Sequence, residues 1–211
     1  MLLFGHIGIT LASAALGFGL RDRLRRGITE GGSEEISPTG DSHSSNSKPS
    51  SKTTFFGSLA KRMDIRFLLI GSLLPDIIDK PIGIYLFRET FSSGRIFSHT
   101  LLFLISIIII GLLIRKYSGK TLGLALSFGT FFHLILDEMW LMPKTLLWPL
   151  FGIGFEKYEI GNWVMNLLHG LLENPKNYIP EIIGFVLIMW LVWELLQRRA
   201  IIRFLRKGRV Y

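Results

Sequence analysis

The chain has 211 residues, of which 49% are hydrophobic, and its 24 Lys and Arg against 16 Asp and Glu give a formal net charge of +8. The absence of cysteine excludes a disulfide framework and thiolate metal ligands, so any metal would be held by His, Asp, Glu or backbone oxygen. Because the basic residues flank apolar runs, the positive charge favours a role at a membrane surface and no nucleic-acid partner.

The apolar residues gather into runs of about 20 residues, which is the length a helix needs to cross a hydrocarbon core about 30 Å thick. The first run covers residues 1–20 and is followed by four arginines between positions 21 and 26. A secretory signal carries its charged residues before the apolar run, so the order found here predicts a transmembrane helix instead. We assign residues 1–26 to this first membrane helix and its basic flank.

Residues 27–57 are rich in Ser, Gly, Thr and Pro and carry almost no apolar side chain before Phe55. A segment of this composition cannot bury a core, which predicts a disordered linker. His43 lies within it and is interpreted as a solvated histidine. The remaining residues, 58–211, are expected to form a helical membrane domain.

The second apolar segment, residues 65–87, is interrupted by two prolines and three charged residues between positions 75 and 81. A residue that precedes proline is pushed out of the α region, which predicts a break near Leu74. Irregular backbone at membrane depth is tolerated only where it lines a cavity or is buried in protein. A break here is therefore consistent with a segment that lines a cavity or is buried in protein.

Two further apolar runs, residues 96–114 and 121–136, are joined by a short basic loop. Residues 139–180 contain three tryptophans, a composition typical of the membrane interface, and a helix lying on the membrane is expected over 162–173 with His169 on its surface. The last run, residues 182–196, precedes a basic tail. These segments predict an all-α polytopic membrane protein with about five membrane segments, the second of them broken.

Lys and Arg concentrate in three stretches, namely residues 21–66, the loop 115–120 and the tail after 197. Since cytoplasmic loops carry the excess of positive charge, the N-terminus is expected outside a cell membrane and the C-terminus in the cytoplasm. This orientation places His99 one turn inside the third span. It also brings six ionisable residues to one depth near the outer end of the spans, namely His6, Asp76, Asp79, His99, His133 and Asp137.

An ionisable side chain inside a membrane costs roughly 2.5–3.5 kcal/mol on insertion scales, so six of them must satisfy one another or share an ion. His133 and Asp137 are four residues apart and Asp76 and Asp79 three apart, so each pair shares a helix face. Three imidazoles and three carboxylates suit Zn²⁺, with Mn²⁺ or Fe²⁺ as alternatives. The six residues exceed the four ligands of a single zinc, which leaves a two-metal site open.

Four motifs stand in order along the chain: GSLLPDIID (71–79), RIFSHT (95–100), HLILD (133–137) and LLWPL (146–150). With a histidine in the first helix, this ordered set resembles the membrane-bound metal-dependent hydrolases grouped with the inner-membrane protein YdjM. The resemblance implies a hydrolase with a divalent metal and makes the six residues above its candidate ligands. It also implies that Arg95 and Ser98 either support these ligands or contact the substrate. The ligand order is also more distantly similar to that of zinc-dependent phospholipases C, which suggests phosphoester hydrolysis.

We therefore expect a membrane-embedded hydrolase that acts on a phosphoester or lipid-type substrate near the outer interface, with membrane lipid as its partner. A metal-bound water, its pKa lowered toward ~7, is the expected nucleophile. Asp79 or Glu138 is the expected acceptor of its proton. Arg95 is expected to neutralise charge that develops on a phosphoryl or carbonyl oxygen.

Two other functions are compatible with the sequence. Intramembrane His and Asp also mark ion pathways, which allows a transporter of metal ions or protons. The nearly pure apolar inner halves of the spans, such as residues 105–114 and 122–129, disfavour it. A non-catalytic membrane scaffold that acts through the Ser-rich linker and the basic tail would bind no metal.

Overall fold

The computed structural model of the chain describes residues 3–30, 56, 59, 63–158 and 163–208. Within these residues every regular element is helical and no strand occurs, which confirms the all-α prediction. The elements follow in the order α1 (Leu3–Glu30), α2 (Ile65–Lys80), a π-helix (Pro81–Leu86), α3 (Arg88–Phe91), α4 (Leu101–Ser118), α5 (Leu122–Leu136), a 3-10 helix (Met139–Leu141), α6 (Pro143–Leu146), α7 (Trp163–Glu173), α8 (Pro175–Gln197) and α9 (Ile201–Lys207).

Three of the described helices are long and apolar enough to cross a membrane, namely α1 over Leu3–Asp22, α4 and α8. The helices α2 and α5 have 16 and 15 residues, so at 1.5 Å per residue they extend about 24 and 22 Å. They pack against each other in the middle of the bundle, with α1 and then α8 on one side and α4 on the other. The bundle thus holds two shorter helices between three of spanning length.

Glycines set how closely these helices approach one another. A side chain at Gly8 of α1 would overlap the backbone of α8 at Gly184. A side chain at Gly184 would in turn overlap the backbone of α1. Gly71 of α2 and Gly129 of α5 make the same kind of close backbone contact between their two helices at the centre of the bundle. Close contacts through small residues are the usual way in which membrane helices pack, because lipid supplies no hydrophobic driving force between them.

The break predicted near Leu74 does not occur there, since α2 continues through Pro75. A proline has no N–H, so the carbonyl of Gly71, four residues earlier, loses its donor within the helix. The hydroxyl of Thr130 on α5 lies 3.2 Å from that carbonyl and can donate to it. The irregular backbone begins at Pro81, where the α-helix gives way to the π-helix.

Several helix boundaries differ from those expected. Helix α1 extends to Glu30, so the first four residues of the predicted linker are helical, while residues 31–55, with His43, lie outside the described residues. Helix α8 begins at Pro175 instead of near position 182. Its start is fixed by Asn174, whose side chain accepts a hydrogen bond from the N–H of Lys176, and proline is well tolerated in a first turn. Helix α7 confirms the helix predicted over 162–173, and His169 is 70% exposed.

One end of the bundle gathers the N-termini of α1, α4 and α8 and the C-termini of α2 and α5. The N–H of Phe4 in α1 donates to Glu181 of α8 at this end, at a distance of 2.9 Å. The opposite end carries basic residues, with Arg115 and Lys116 in the last turn of α4 and Arg198 directly after α8. The ionisable residues predicted to share one depth therefore lie at the end away from these basic groups.

Candidate metal centre

Four of the six predicted ligands converge. Asp76, His99, His133 and Asp137 each offer one ligand atom, and these atoms lie within 4.8 Å of one another. They come from the end of α2, the loop before α4 and the end of α5. Both histidines are fully buried and both carboxylates are largely buried.

Asp79 holds His99 in its orientation. The fully buried Asp79 carboxylate accepts hydrogen bonds from the backbone N–H groups of Ile96, Ser98 and His99 at 2.8–3.2 Å and lies 2.7 Å from His99 Nδ1. Because a carboxylate only accepts, Nδ1 carries a proton, and in the neutral ring Nε2 then presents a lone pair. The structure thus places Asp79 behind a candidate ligand and outside the group of four, an arrangement common around metal-binding histidines.

The residues on either side of His99 fix the loop that carries it. The hydroxyl of Ser98 donates to the carbonyl of Pro75 at 2.9 Å, which ties the loop to α2. Thr100 is the N-cap of α4, and its hydroxyl accepts a hydrogen bond from the N–H of Phe103 at 3.1 Å. His99 therefore lies immediately before the helix and not one turn inside it, as the apolar run had suggested.

His133 is oriented by a backbone carbonyl. Its Nδ1 lies 2.7 Å from the carbonyl oxygen of Ser72 and donates to it, so Nε2 again presents a lone pair. The Nε2 atoms of His99 and His133 are 3.2 Å apart. Two acceptors at this distance repel each other unless a proton or a cation lies between them. Ligand atoms about 2.0–2.1 Å from a tetrahedral ion are themselves about 3.3 Å apart, so this spacing fits a metal ion.

The two carboxylates complete the group. Asp76 Oδ1 lies 3.6 Å from His99 Nε2 and 3.9 Å from His133 Nε2. Asp137 Oδ2 lies at nearly the same distances, 3.7 and 4.0 Å. Two imidazole nitrogens and two carboxylate oxygens that face one another form a donor set that binds Zn²⁺, Mn²⁺ or Fe²⁺.

Arg95 and Lys80 each pair with one of these carboxylates. Arg95 Nε donates to Asp137 Oδ2 at 2.8 Å, and Lys80 Nζ lies 2.6 Å from Asp76 Oδ2. Burial acts to lower the pKa of Arg95, but the adjacent Asp137 carboxylate raises it above its usual value. The guanidinium therefore stays charged beside the group.

His6 lies next to the group of four. Its ring stacks on that of His133 with centroids 4.2 Å apart, and its Nε2 is 3.1 Å from Asp137 Oδ1. This contact lacks hydrogen-bond geometry, and neither nitrogen of the fully buried ring has a hydrogen-bond partner among the described residues. Nε2 is thus at ion-pair distance from the Asp137 carboxylate, whereas a buried Nδ1 without a partner is unfavourable by about 1–3 kcal/mol. His6 is therefore a neighbour of the group of four and not one of its converging ligands.

The structure does not bring Glu138 into the group. Its backbone is left-handed, with φ of 53°, and its side chain is exposed. It forms no hydrogen bond or ion pair with the other described candidate residues.

Two contributors to the group were missed in the sequence. Lys80 is one of the three charged residues that interrupt the second apolar segment, and its position four residues after Asp76 is the spacing at which opposite charges pair on a helix. Ser72 contributes through its backbone carbonyl, and no side-chain pattern signals such a role.

Residues 43–201, more than two thirds of the chain, match the family described as YdjM inner membrane protein. No curated protein and no solved structure matches the chain. The more distant similarity to zinc-dependent phospholipases C is not shown by these comparisons.

Proposed function

The chain belongs to the YdjM inner membrane protein family, and on this basis we propose that it is a membrane-embedded metal-dependent hydrolase. The observation that carries the proposal is the pair of Nε2 atoms 3.2 Å apart on His99 and His133. Each ring already donates a hydrogen bond through Nδ1. The two Nε2 atoms therefore direct their lone pairs at the point that the two carboxylates also face. This arrangement needs a proton or a cation between the two nitrogens, and the two carboxylates beside them favour a cation.

The residues of the group and those beside it would have two roles, holding the ion and binding the substrate. Asp76, His99, His133 and Asp137 would hold the ion, with His6 beside them as a further nitrogen. A divalent ion there would supply Lewis acidity and lower the pKa of water toward about 7. Arg95 can bind an anionic oxygen of the substrate as charge develops on it.

Proton transfer has two candidate acceptors from the sequence. The oxygens of Asp79 accept several N–H donors, and taking a proton would disrupt the orientation of His99. Glu138 is exposed and follows Asp137 directly in the chain, so it can exchange protons with water. Because Glu138 lies outside the group of four, it would have to accept the proton through an intervening water.

Exposed apolar side chains near the group support a lipid-type substrate. Leu150 and Ile153 are each 82% exposed, on a segment that follows the Trp148 ring. That ring packs edge-to-face on Phe97, two residues after Arg95, with centroids 5.5 Å apart. Large apolar side chains exposed in this way are favoured in a lipid interface. The group would then act close to lipid headgroups.

The orientation of the protein can be tested with single cysteines, because the chain has none of its own. Lys157 lies in the exposed segment that follows α6, whereas Lys120 lies in the basic loop between α4 and α5, and both side chains are exposed. Since basic loops stay in the cytoplasm, Lys157→Cys should react with an impermeant thiol reagent in intact cells and Lys120→Cys only after lysis. The reverse labelling would place the group on the cytoplasmic side.

Hydrolysis is tested with the purified full-length protein. We expect about one divalent ion per chain by elemental analysis, because the four converging N and O ligand atoms define one site. Screens of soluble phosphoesters and phospholipids should reveal a turnover that a chelator removes and Zn²⁺ or Mn²⁺ restores. A protein that holds no metal and gains none from either ion would contradict the hydrolase and favour the scaffold. Metal flux into proteoliposomes without hydrolysis would favour the transporter.

A further inference from the structure

Two cations stand where the metal group meets solvent. Lys80 contacts Asp76 and Arg95 contacts Asp137, and the ligand oxygens of these two carboxylates lie within 4.8 Å of each other. The side chains of Lys80 and Arg95 are 34% and 38% exposed, whereas the histidines behind them are fully buried. Lys80 and Arg95 are therefore more exposed than the histidines and carboxylates of the group.

Both cations have donors left over after these contacts. A lysine ammonium has three N–H donors and a guanidinium has five. Among the described residues, Lys80 donates to Asp76, and Arg95 uses Nε for Asp137 and directs Nη1 to the sulfur of Met142 at 3.7 Å. Each side chain can therefore bind a further anionic oxygen and keep its carboxylate.

The net charge of the site also suits an anion. Three carboxylates, those of Asp76, Asp79 and Asp137, face two cations, so the residues alone carry one negative charge in excess. A divalent ion would turn this into one positive charge. A phosphate group carries about −1.5 to −2 charges at neutral pH and offers several strong acceptor oxygens.

We propose that Lys80 and Arg95 together bind the oxygens of one phosphate group beside the metal group. The inference rests on the proposed function and narrows its substrate to a phosphate ester. Arginine supplies two parallel donors to phosphate and lysine a point charge, so the pair combines orientation with attraction. The phosphate can belong to a soluble ester or to a lipid headgroup, since the recognised chemistry is the same.

The test uses the metal-loaded protein and inorganic phosphate as the probe. Metal content is measured first for Lys80→Met and Arg95→Met, and phosphate affinity is then measured by titration calorimetry. Each variant should keep its metal and bind phosphate at least about 10-fold more weakly, because each loses charge-assisted hydrogen bonds. Lys144→Met, which removes an exposed lysine of α6, is the matched control and should bind like the wild type.

A second measurement does not depend on how the variants fold. In metal-loaded wild type, phosphate should protect Lys80 from acylation, read by mass spectrometry, and should leave Lys144 reactive. The same protection assay with nanodiscs that contain phosphatidic acid in place of inorganic phosphate distinguishes a soluble ester from a lipid headgroup. Protection by this lipid at concentrations at which a soluble phosphomonoester gives none identifies a headgroup. Metal-loaded variants with unchanged phosphate affinity, or no protection of Lys80, overturn this inference alone. A wild type that holds no metal overturns the proposed function as well.

Discussion

His133→Ala and His99→Ala should each release the bound metal and lower kcat/KM by at least about 10³-fold. The two Nε2 atoms lie 3.2 Å apart, and only a cation or a shared proton can satisfy both of their lone pairs. Either substitution removes one of these two nitrogens. A metal ion contributes several kcal/mol to stabilising charge in the transition state, and each 1.36 kcal/mol is a factor of ten in rate. Elemental analysis and turnover measured on the same preparations check the expectation.

The matched control is His169→Ala, which should keep both metal and turnover. His169 is 70% exposed on α7 and pairs with Glu173, so the substitution removes an imidazole without touching the group. His6→Ala should have an intermediate effect, because His6 stacks on His133 but lies outside the group of four. Full metal content in His133→Ala, with an unchanged melting temperature, would contradict the assignment of the centre.

Asp79→Asn should weaken metal binding by about 10–100-fold without removing a ligand. The Asp79 carboxylate accepts three backbone N–H groups and lies 2.7 Å from His99 Nδ1. An asparagine turns one acceptor oxygen into a donor, which faces these N–H groups and releases the ring of His99 from its orientation. Competition with a calibrated chelator measures the affinity. The melting temperature should fall as well, because the variant leaves buried donors without an acceptor.

Glu173→Gln is the control for this substitution. Glu173 is exposed on α7, and its replacement by glutamine removes one negative charge, as Asp79→Asn does. Its metal affinity and melting temperature should match those of the wild type. Measurements of both metal affinity and turnover in Asp79→Asn distinguish the two roles considered for this residue. Unchanged metal affinity with lost turnover would favour the proton-accepting role that the sequence suggested for Asp79 over the orienting role that its contacts support.

The sequence by itself determined the class of protein and most of the group. Runs of apolar residues predict helices from local information alone, and α4, α5 and α8 overlap the runs that predict them. Pairs such as His133 and Asp137 share a helix face by their spacing, which needs no knowledge of other helices. The cost of ionisable groups in a membrane then predicts that residues from separate helices meet, and all six do, four of them with converging ligand atoms.

Only the tertiary structure decided what each residue does there. Pro75 lies within α2, and Thr130, 55 positions later in the chain, can donate to the carbonyl that the proline leaves without a donor. Asp79 has the same side chain as Asp76 and lies in the same apolar segment, yet it contacts His99 and the backbone of the loop before α4. Local spacing fixes the face on which a side chain lies, but not the atoms it meets. Those atoms are supplied by neighbouring helices, whose separation is set by close packing at residues such as Gly71 and Gly129.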